Sequence, residues 1–329
     1  MSDSEDLVQQ PAEIIPTAGG DVLAPGSLGT TTTTPPVTPA EVELSGAVQV
    51  SERKQARREN WRLIRRRPGF IIGVFILLVW TVCALLGDRI TPHSPLDFRA
   101  GTHLSPRAKF PFGTDEQGRD VLSRVMAGAR DVLKVAPLAA LLGVVFGVIV
   151  GLMMGYFGRW LDNVLGRIVE AFLALPVILL ALLAVSTLGS SPTVVIGVVA
   201  ALFTPVVART VRSAVLAERD LDYVTSAKLR GESSAFVMFR EILPNVSGPI
   251  IVELTVRIGY AVFTVATLSF LGAGPQPPSP DWGAQVSEGF RSISAGIWWT
   301  TFFPAAAIAS LVIAANLIAD SVQSVLEAS

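Results

Sequence analysis

Five long stretches of this chain carry no charge, and nothing else in the sequence restricts its fold as strongly. Pro68–Gly87, Val135–Gly158, Ala171–Ala208, Ile258–Pro280 and Ser292–Ala319 contain no Asp, Glu, Lys or Arg. A helix needs roughly 20 apolar residues to cross a bilayer core. A charge at its centre costs about 2.5–3.5 kcal/mol on insertion scales. Ala171–Ala208 is long enough for two crossings, and Ser186-Thr187-Leu188-Gly189-Ser190-Ser191-Pro192 supplies a turn between them. The pattern predicts six membrane helices, near 69–87, 132–156, 167–188, 193–212, 247–271 and 299–321. The expected fold class is therefore an all-α integral membrane protein.

The segment before the first span is different material. Residues 1–50, with Gly19-Gly20, the run Thr30–Thr34, Pro35-Pro36 and scattered acids, cannot bury enough apolar area to offset ordering entropy and read as a disordered tail. The acidic start without an apolar run argues against a signal peptide. Residues 51–67 then gather Arg53, Lys54, Arg57, Arg58, Arg62, Arg65, Arg66 and Arg67 around Trp61, Leu63 and Ile64. Such a basic amphipathic segment suits anionic lipid headgroups rather than nucleic acid, and it places the N-terminus in the cytoplasm. Six crossings return the C-terminus to that side. The organisation is then a tail (1–50), a juxtamembrane segment (51–67), a first helix with an external segment (68–131) and a membrane core (132–325). Within that core lies a cytoplasmic loop at 213–246.

That loop holds the clearest functional signal. Asp222–Asn245 is polar and helix-prone, and Gly231 sits eleven residues before Ile242-Leu243-Pro244. A Gly there lets a short helix stop and turn, and Pro244 presets the start of the next helix, where a missing N–H costs nothing. Leu221, Val224 and Leu229 mix with Asp222, Lys228 and Arg230, a surface suited to a groove on a soluble partner.

These residues resemble the cytoplasmic motif of ATP-binding-cassette import permeases, usually Glu-Ala-Ala, three residues, Gly, ten residues, then Ile-x-Leu-Pro. Here the places fall on Thr225-Ser226-Ala227, Gly231 and Ile242-Leu243-Pro244. Phe112-Gly113-Thr114-Asp115 with Gly118–Arg124, Gly155-Tyr156-Phe157-Gly158 with Arg167–Glu170, Leu268–Gly272 with Trp282-Gly283, and Phe303-Pro304 are similar to other segments of the dipeptide/oligopeptide/nickel branch, in particular its second ("C") permease. The resemblance covers roughly residues 60–325. It implies a type I importer permease fold in a bacterial cytoplasmic membrane and half of a translocation path for short peptides, with nickel or another small polar solute as the alternative. It also implies a second homologous permease, one or two cytoplasmic ATPase subunits that carry ATP and Mg, and an extracytoplasmic solute-binding protein. The coupling residues implied are Tyr223, Thr225, Ser226, Ala227, Lys228, Leu229, Gly231, Leu243 and Pro244.

The chain shows no ATPase signature of its own, because no Gly-x-x-x-x-Gly-Lys-[Ser/Thr] stretch occurs. No catalytic constellation or cofactor motif is visible, and the two histidines, His93 and His103, make a weak metal site. Glu253 and Arg257 stand four residues apart inside the fifth span, on one face. Intramembrane pairs often mark pathways, but a pair near the inner interface, snorkelling to water or bracing the neighbouring subunit, is the plainer reading. Gly143, Gly147, Gly151 and Gly155 form a small-residue stripe suited to close helix contact, within the chain or with a partner permease. A stand-alone secondary transporter would be expected to place an ionisable group at mid-membrane or to show an internal repeat, and neither is evident.

Overall fold

A computed structural model describes residues 63–326, apart from 99, 100 and 277. The proposed tail and most of the basic segment lie outside the described residues. Nine helices of eight residues or more form the described fold. They are α1 (Pro68–Ile90), α2 (Val121–Phe157), α3 (Arg159–Leu173), α4 (Val177–Leu188), α5 (Pro192–Glu218), α6 (Asp222–Leu229), α7 (Ser247–Phe270), α8 (Trp282–Phe290) and α9 (Trp299–Leu326). Among the described residues, α1, α2, α5, α7 and α9 are each long and apolar enough to cross a membrane.

The third expected span departs from a single rod. Arg159–Leu173 and Val177–Leu188 meet at an angle of 89°. Pro176 is the cause: it has no N–H for a helical bond, and its ring disfavours helical backbone at the residue before it. Pro176 itself is extended, with φ −62° and ψ 112°. Pro205, by contrast, sits inside an unbroken α5.

The glycine stripe settles both a contact and a direction. A Cβ on Gly147 would lie 2.5 Å from Val207 Cβ, one on Gly151 2.7 Å from Val211 Cβ, and one on Gly155 2.6 Å from Val215 Cβ. Only hydrogen lets α2 and α5 come this close. The partners advance in step, so α2 and α5 run parallel within one chain. The chain must therefore travel back along the bundle between Phe157 and Pro192, and the bent α3–α4 pair makes that return. Connectivity thus gives six crossings, one of them broken.

α2 begins well before its uncharged run. Its 37 residues span about 55 Å, against a hydrocarbon core of ~30 Å. Asp120 caps its start by accepting the N–H of Leu122 at 3.3 Å. The charged first turns of α2 join a cap at one end of the bundle, which we call the outer end. Asp115 Oδ2 accepts Arg119 Nε and Arg124 Nη1, both at 2.6 Å, and Glu288 Oε2 accepts Arg119 Nη2 and Arg124 Nη1, both at 2.8 Å. Glu288 comes from α8, a helix between the spans expected at 247–271 and 299–321. Trp282 of α8 is wholly buried, donates to Val125 O at 2.7 Å and meets Trp80 of α1 edge-on at 4.8 Å.

α1 lies at the periphery on α9 and α2. Trp80 Nε1 donates to Ser310 Oγ at 2.8 Å, and Arg130 Nε donates to Ala84 O at 3.0 Å. Its Ile71, Ile72, Phe75, Leu78 and Leu85 are all more than half exposed. Lipid is the solvent in which such a surface is stable.

Candidate functional site

The opposite, inner end of the bundle carries the segment between α5 and α7. Leu221 breaks out of the helix with extended backbone, and α6 starts at Asp222. An acid in the first turn and Lys228 in the last both complement the helix dipole. Val224 and Ala227, three residues apart, are fully buried. They join Val144, Val148 and Leu152 of α2, Val207, Val211 and Val215 of α5, and Val237, Met238, Ile242 and Val246 of the following stretch in one apolar cluster. Fully burying one valine contributes about 1.5–3 kcal/mol, so α6 is a seated helix rather than a loose loop.

Polar contacts fix its azimuth. Tyr223 Oη donates to Glu218 Oε2 at 2.7 Å, and burial together with that carboxylate pushes the phenol up to about 12. Lys228 Nζ donates to Arg219 O at 3.3 Å and lies over the Tyr156 ring. Arg219 in turn donates to Gly155 O at 3.1 Å, at the end of α2. The α6 unit is thereby tied to both α2 and α5.

Gly231 ends α6 at φ +80°. Its N–H bonds Lys228 O at 3.0 Å, and the N–H of Glu232 bonds Ala227 O at 3.3 Å. This paired pattern satisfies two orphan carbonyls and needs a left-handed residue, the reason for glycine. Ser233 then caps a second helical stretch, Ser234–Asn245, by accepting Phe236 N–H at 3.3 Å. Its middle, Val237–Ile242, is wound as a π-helix, and the N–H of Leu243 reaches five residues back to Met238 O. Pro244 explains the wide turn: it offers no N–H to Arg240 O and its ring crowds that carbonyl.

Of the coupling residues expected, Tyr223 and Ala227 point towards the core and Leu243 is half-buried against the same cluster; Val224, expected on the surface offered to a partner, is instead fully buried in this chain's own core. Thr225, Ser226, Lys228, Leu229, Gly231 and Pro244 are exposed. Leu229 is the extreme case at 84% exposure, and Leu221 at 46% and Phe239 at 50% are exposed as well. Sequence reasoning missed Phe239, which stands in the apolar run Ala235-Phe236-Val237-Met238-Phe239 and so carries no sign of its outward azimuth. It also missed Arg219, whose bond to Gly155 O is purely tertiary.

Glu253 and Arg257 do not stand apart from the chain. Their side chains pair at 2.8 Å, each 14% exposed, and Thr210 Oγ1 of α5 donates to Glu253 Oε1 at 2.8 Å. The Arg257 guanidinium lies over the rings of Phe203 and Tyr260. The pair thus bridges α5 and α7, the two helices from which the α6 segment hangs. His93 and His103 take separate partners, Asp120 at 3.1 Å and Ser292 at 3.4 Å, and no cluster of three metal-binding side chains occurs among the described residues.

Residues 147–329 match the family described as binding-protein-dependent transport system inner membrane component. Dipeptide transport system permease protein DppC of Bacillus subtilis is 35% identical over 271 residues, 82% of this chain and 85% of that protein. DppC of Alkalihalophilus pseudofirmus is likewise 35% identical over 271 residues, 82% of this chain and 89% of that protein. Glutathione transport system permease protein GsiD of Pectobacterium atrosepticum is 35% identical over 273 residues, 82% of this chain and 90% of that protein. With its parallel α2–α5 core, its membrane-crossing helices and these matches, the chain belongs to the inner-membrane permease components of binding-protein-dependent transport systems.

Proposed function

We propose that this chain forms half of the translocation path of an ATP-driven importer of short peptides and takes up the motion of a cytoplasmic ATPase through α6. One observation carries the coupling: α6 is anchored by Val224 and Ala227 into a cluster built from α2 and α5, while Leu221, Thr225, Ser226 and Leu229 face outward unoccupied. A push on that outward face moves the ends of two membrane helices directly. The names of the related permeases, for dipeptides and for glutathione, support a peptide solute.

In this reading ATP and Mg reside on one or two partner ATPase subunits, a second homologous permease completes the path, and an extracytoplasmic binding protein delivers the solute. The α6 end faces the cytoplasm, and the cap around Asp115, Arg119, Arg124 and Glu288 faces outward. The Glu253–Arg257 pair, held by Thr210, keeps α5 and α7 together so that displacement of α6 moves both.

Leu229→Asp tests the coupling. Leu229 touches no core, so the variant should insert and accumulate as the parent chain does, while peptide uptake falls at least tenfold, about 1.4 kcal/mol of lost interface. Undiminished uptake by that variant would sink the docking role of α6.

A further inference from the structure

The bend of 89° between α3 and α4 leaves an open cleft at the inner end, of about 680 Å³, between α3 and α5. Small-ligand sites typically measure roughly 300–1,000 Å³. Leu173 and Ala174, at the bend itself, form part of its wall, with Met154 from α2. The charged lining comprises Asp162, Arg167 and Glu170 on α3 and Arg209 and Arg212 on α5.

These charges are not equally engaged. Arg212 grips both oxygens of Asp162, through Nε and Nη2, and is spent on that contact. Arg167 and Arg209 have no carboxylate partner among the described residues, and Glu170 is the only other acid on the wall. Arg209 is exposed on α5, three residues before the inner end of the span expected at 193–212. A guanidinium there is more stable beside water or an anion than beside lipid.

We propose that this cleft binds the free carboxylate of a short peptide in transit, through Arg167 and Arg209, with Glu170 taking the peptide's ammonium group. The inference rests on the peptide reading above. Two planar, always-charged forks converging on one space suit a carboxylate, and a single acid beside them matches the opposite end of a zwitterion. The bound peptide replaces no internal ion pair, because Arg212 and Asp162 neutralise each other without it.

Photolabelling of the whole transporter in nanodiscs tests this. The probe is a dipeptide bearing a diazirine side chain, and mass spectrometry locates the label. The label should fall on residues 154–174 or 209–212, disappear with excess alanyl-alanine and persist with alanyl-alaninamide, which lacks the carboxylate. Arg209→Gln should lower labelling roughly tenfold, the loss of one charge-assisted contact, and Arg209→Lys should retain most of it. Arg167→Gln, on an exposed position of α3, provides an independent variant if Arg209→Gln fails to assemble. Equal competition by the amide overturns the carboxylate reading. Loss of label on adding phosphatidylglycerol shows that a lipid headgroup fills the cleft and overturns it too. Intact dipeptide uptake with an unlabelled cleft overturns the site alone, whereas absence of dipeptide uptake by the parent transporter overturns the peptide reading together with it.

Discussion

Asp115→Asn should weaken the outer cap by a calculable amount. Asp115 is 6% exposed, and its Oδ1 accepts the backbone N–H groups of Gln117 and Arg119, both at 2.9 Å. Asn keeps that oxygen, so the turn before α2 stays formed. Its loss falls on Oδ2, which neutralises Arg119 and Arg124, side chains only 2% exposed. Removing one partner of a buried pair costs about 3–5 kcal/mol, because the other charge stays buried and uncompensated. Glu288 still contacts both arginines, which puts the expected cost at the low end, about 3 kcal/mol. At roughly 2–4 °C per kcal/mol the midpoint should drop by about 6–12 °C. Scanning tryptophan fluorescence of the purified transporter reads it, since Trp282 and Trp299 both bond into this cap. Glu116→Gln, exposed and next in sequence, is the control and should move the midpoint by no more than about 0.5 kcal/mol in equivalent stability. If both variants melt together with the parent chain, the cap is not held by its buried charges.

Two further expectations concern packing and ionisation. Gly147→Val should destabilise by about 1–3 kcal/mol, because its Cβ would lie 2.5 Å from Val207 Cβ. Gly197→Ala, with nothing within 4 Å, should be harmless, and detergent melting curves compare the two. Asp281 caps α8 by accepting Ala284 N–H at 2.9 Å, yet burial raises its carboxyl above the ordinary value of 3.8. A raised folded value favours the protonated form, so its contribution to stability is present below 3.8 and is lost as pH rises through the raised value. Asp281→Asn keeps the cap oxygen without the charge. It should be at least as stable as the parent chain at neutral pH and should lose less stability on going from pH ~4 upwards, as melting across that range would show.

The uncharged runs made most of the membrane architecture legible, because the cost of a charge in hydrocarbon is written directly in composition. The spans expected at 69–87, 247–271 and 299–321 coincide closely with α1, α7 and α9. The uncharged runs failed where helices leave the bilayer: α2 starts at Val121 among charges that an apolar-run criterion stops at, and α8 is hidden in a polar loop with only Asp281 as its cap signal. Whether a proline breaks a helix depends on its neighbours: Pro176 separates α3 from α4, and Pro205 does not break α5. The stripe Gly143–Gly155 announced a close contact, while its partner valines on α5 could be identified only in three dimensions. At the α6 segment, Gly231 carried its helix-ending role in its chemistry, whereas Pro244, expected to open the next span, lies near the end of Ser234–Asn245 and widens that stretch into a π-turn. Which residues point inward there is a matter of azimuth, set by the local bonds of Tyr223 and Lys228 together with the distant contacts of Arg219 with Gly155 and of Lys228 with Tyr156.

The most direct test of the importer reading is gentle affinity purification of this chain from its native membrane, with mass spectrometry of the proteins that accompany it. A second six-helix permease and one or two ATP-binding subunits should co-purify in stoichiometric amounts, and Leu229→Asp should release the ATP-binding subunits while keeping the permease. Recovery of the chain alone or as a homo-oligomer, under conditions that preserve other membrane complexes, would contradict the account.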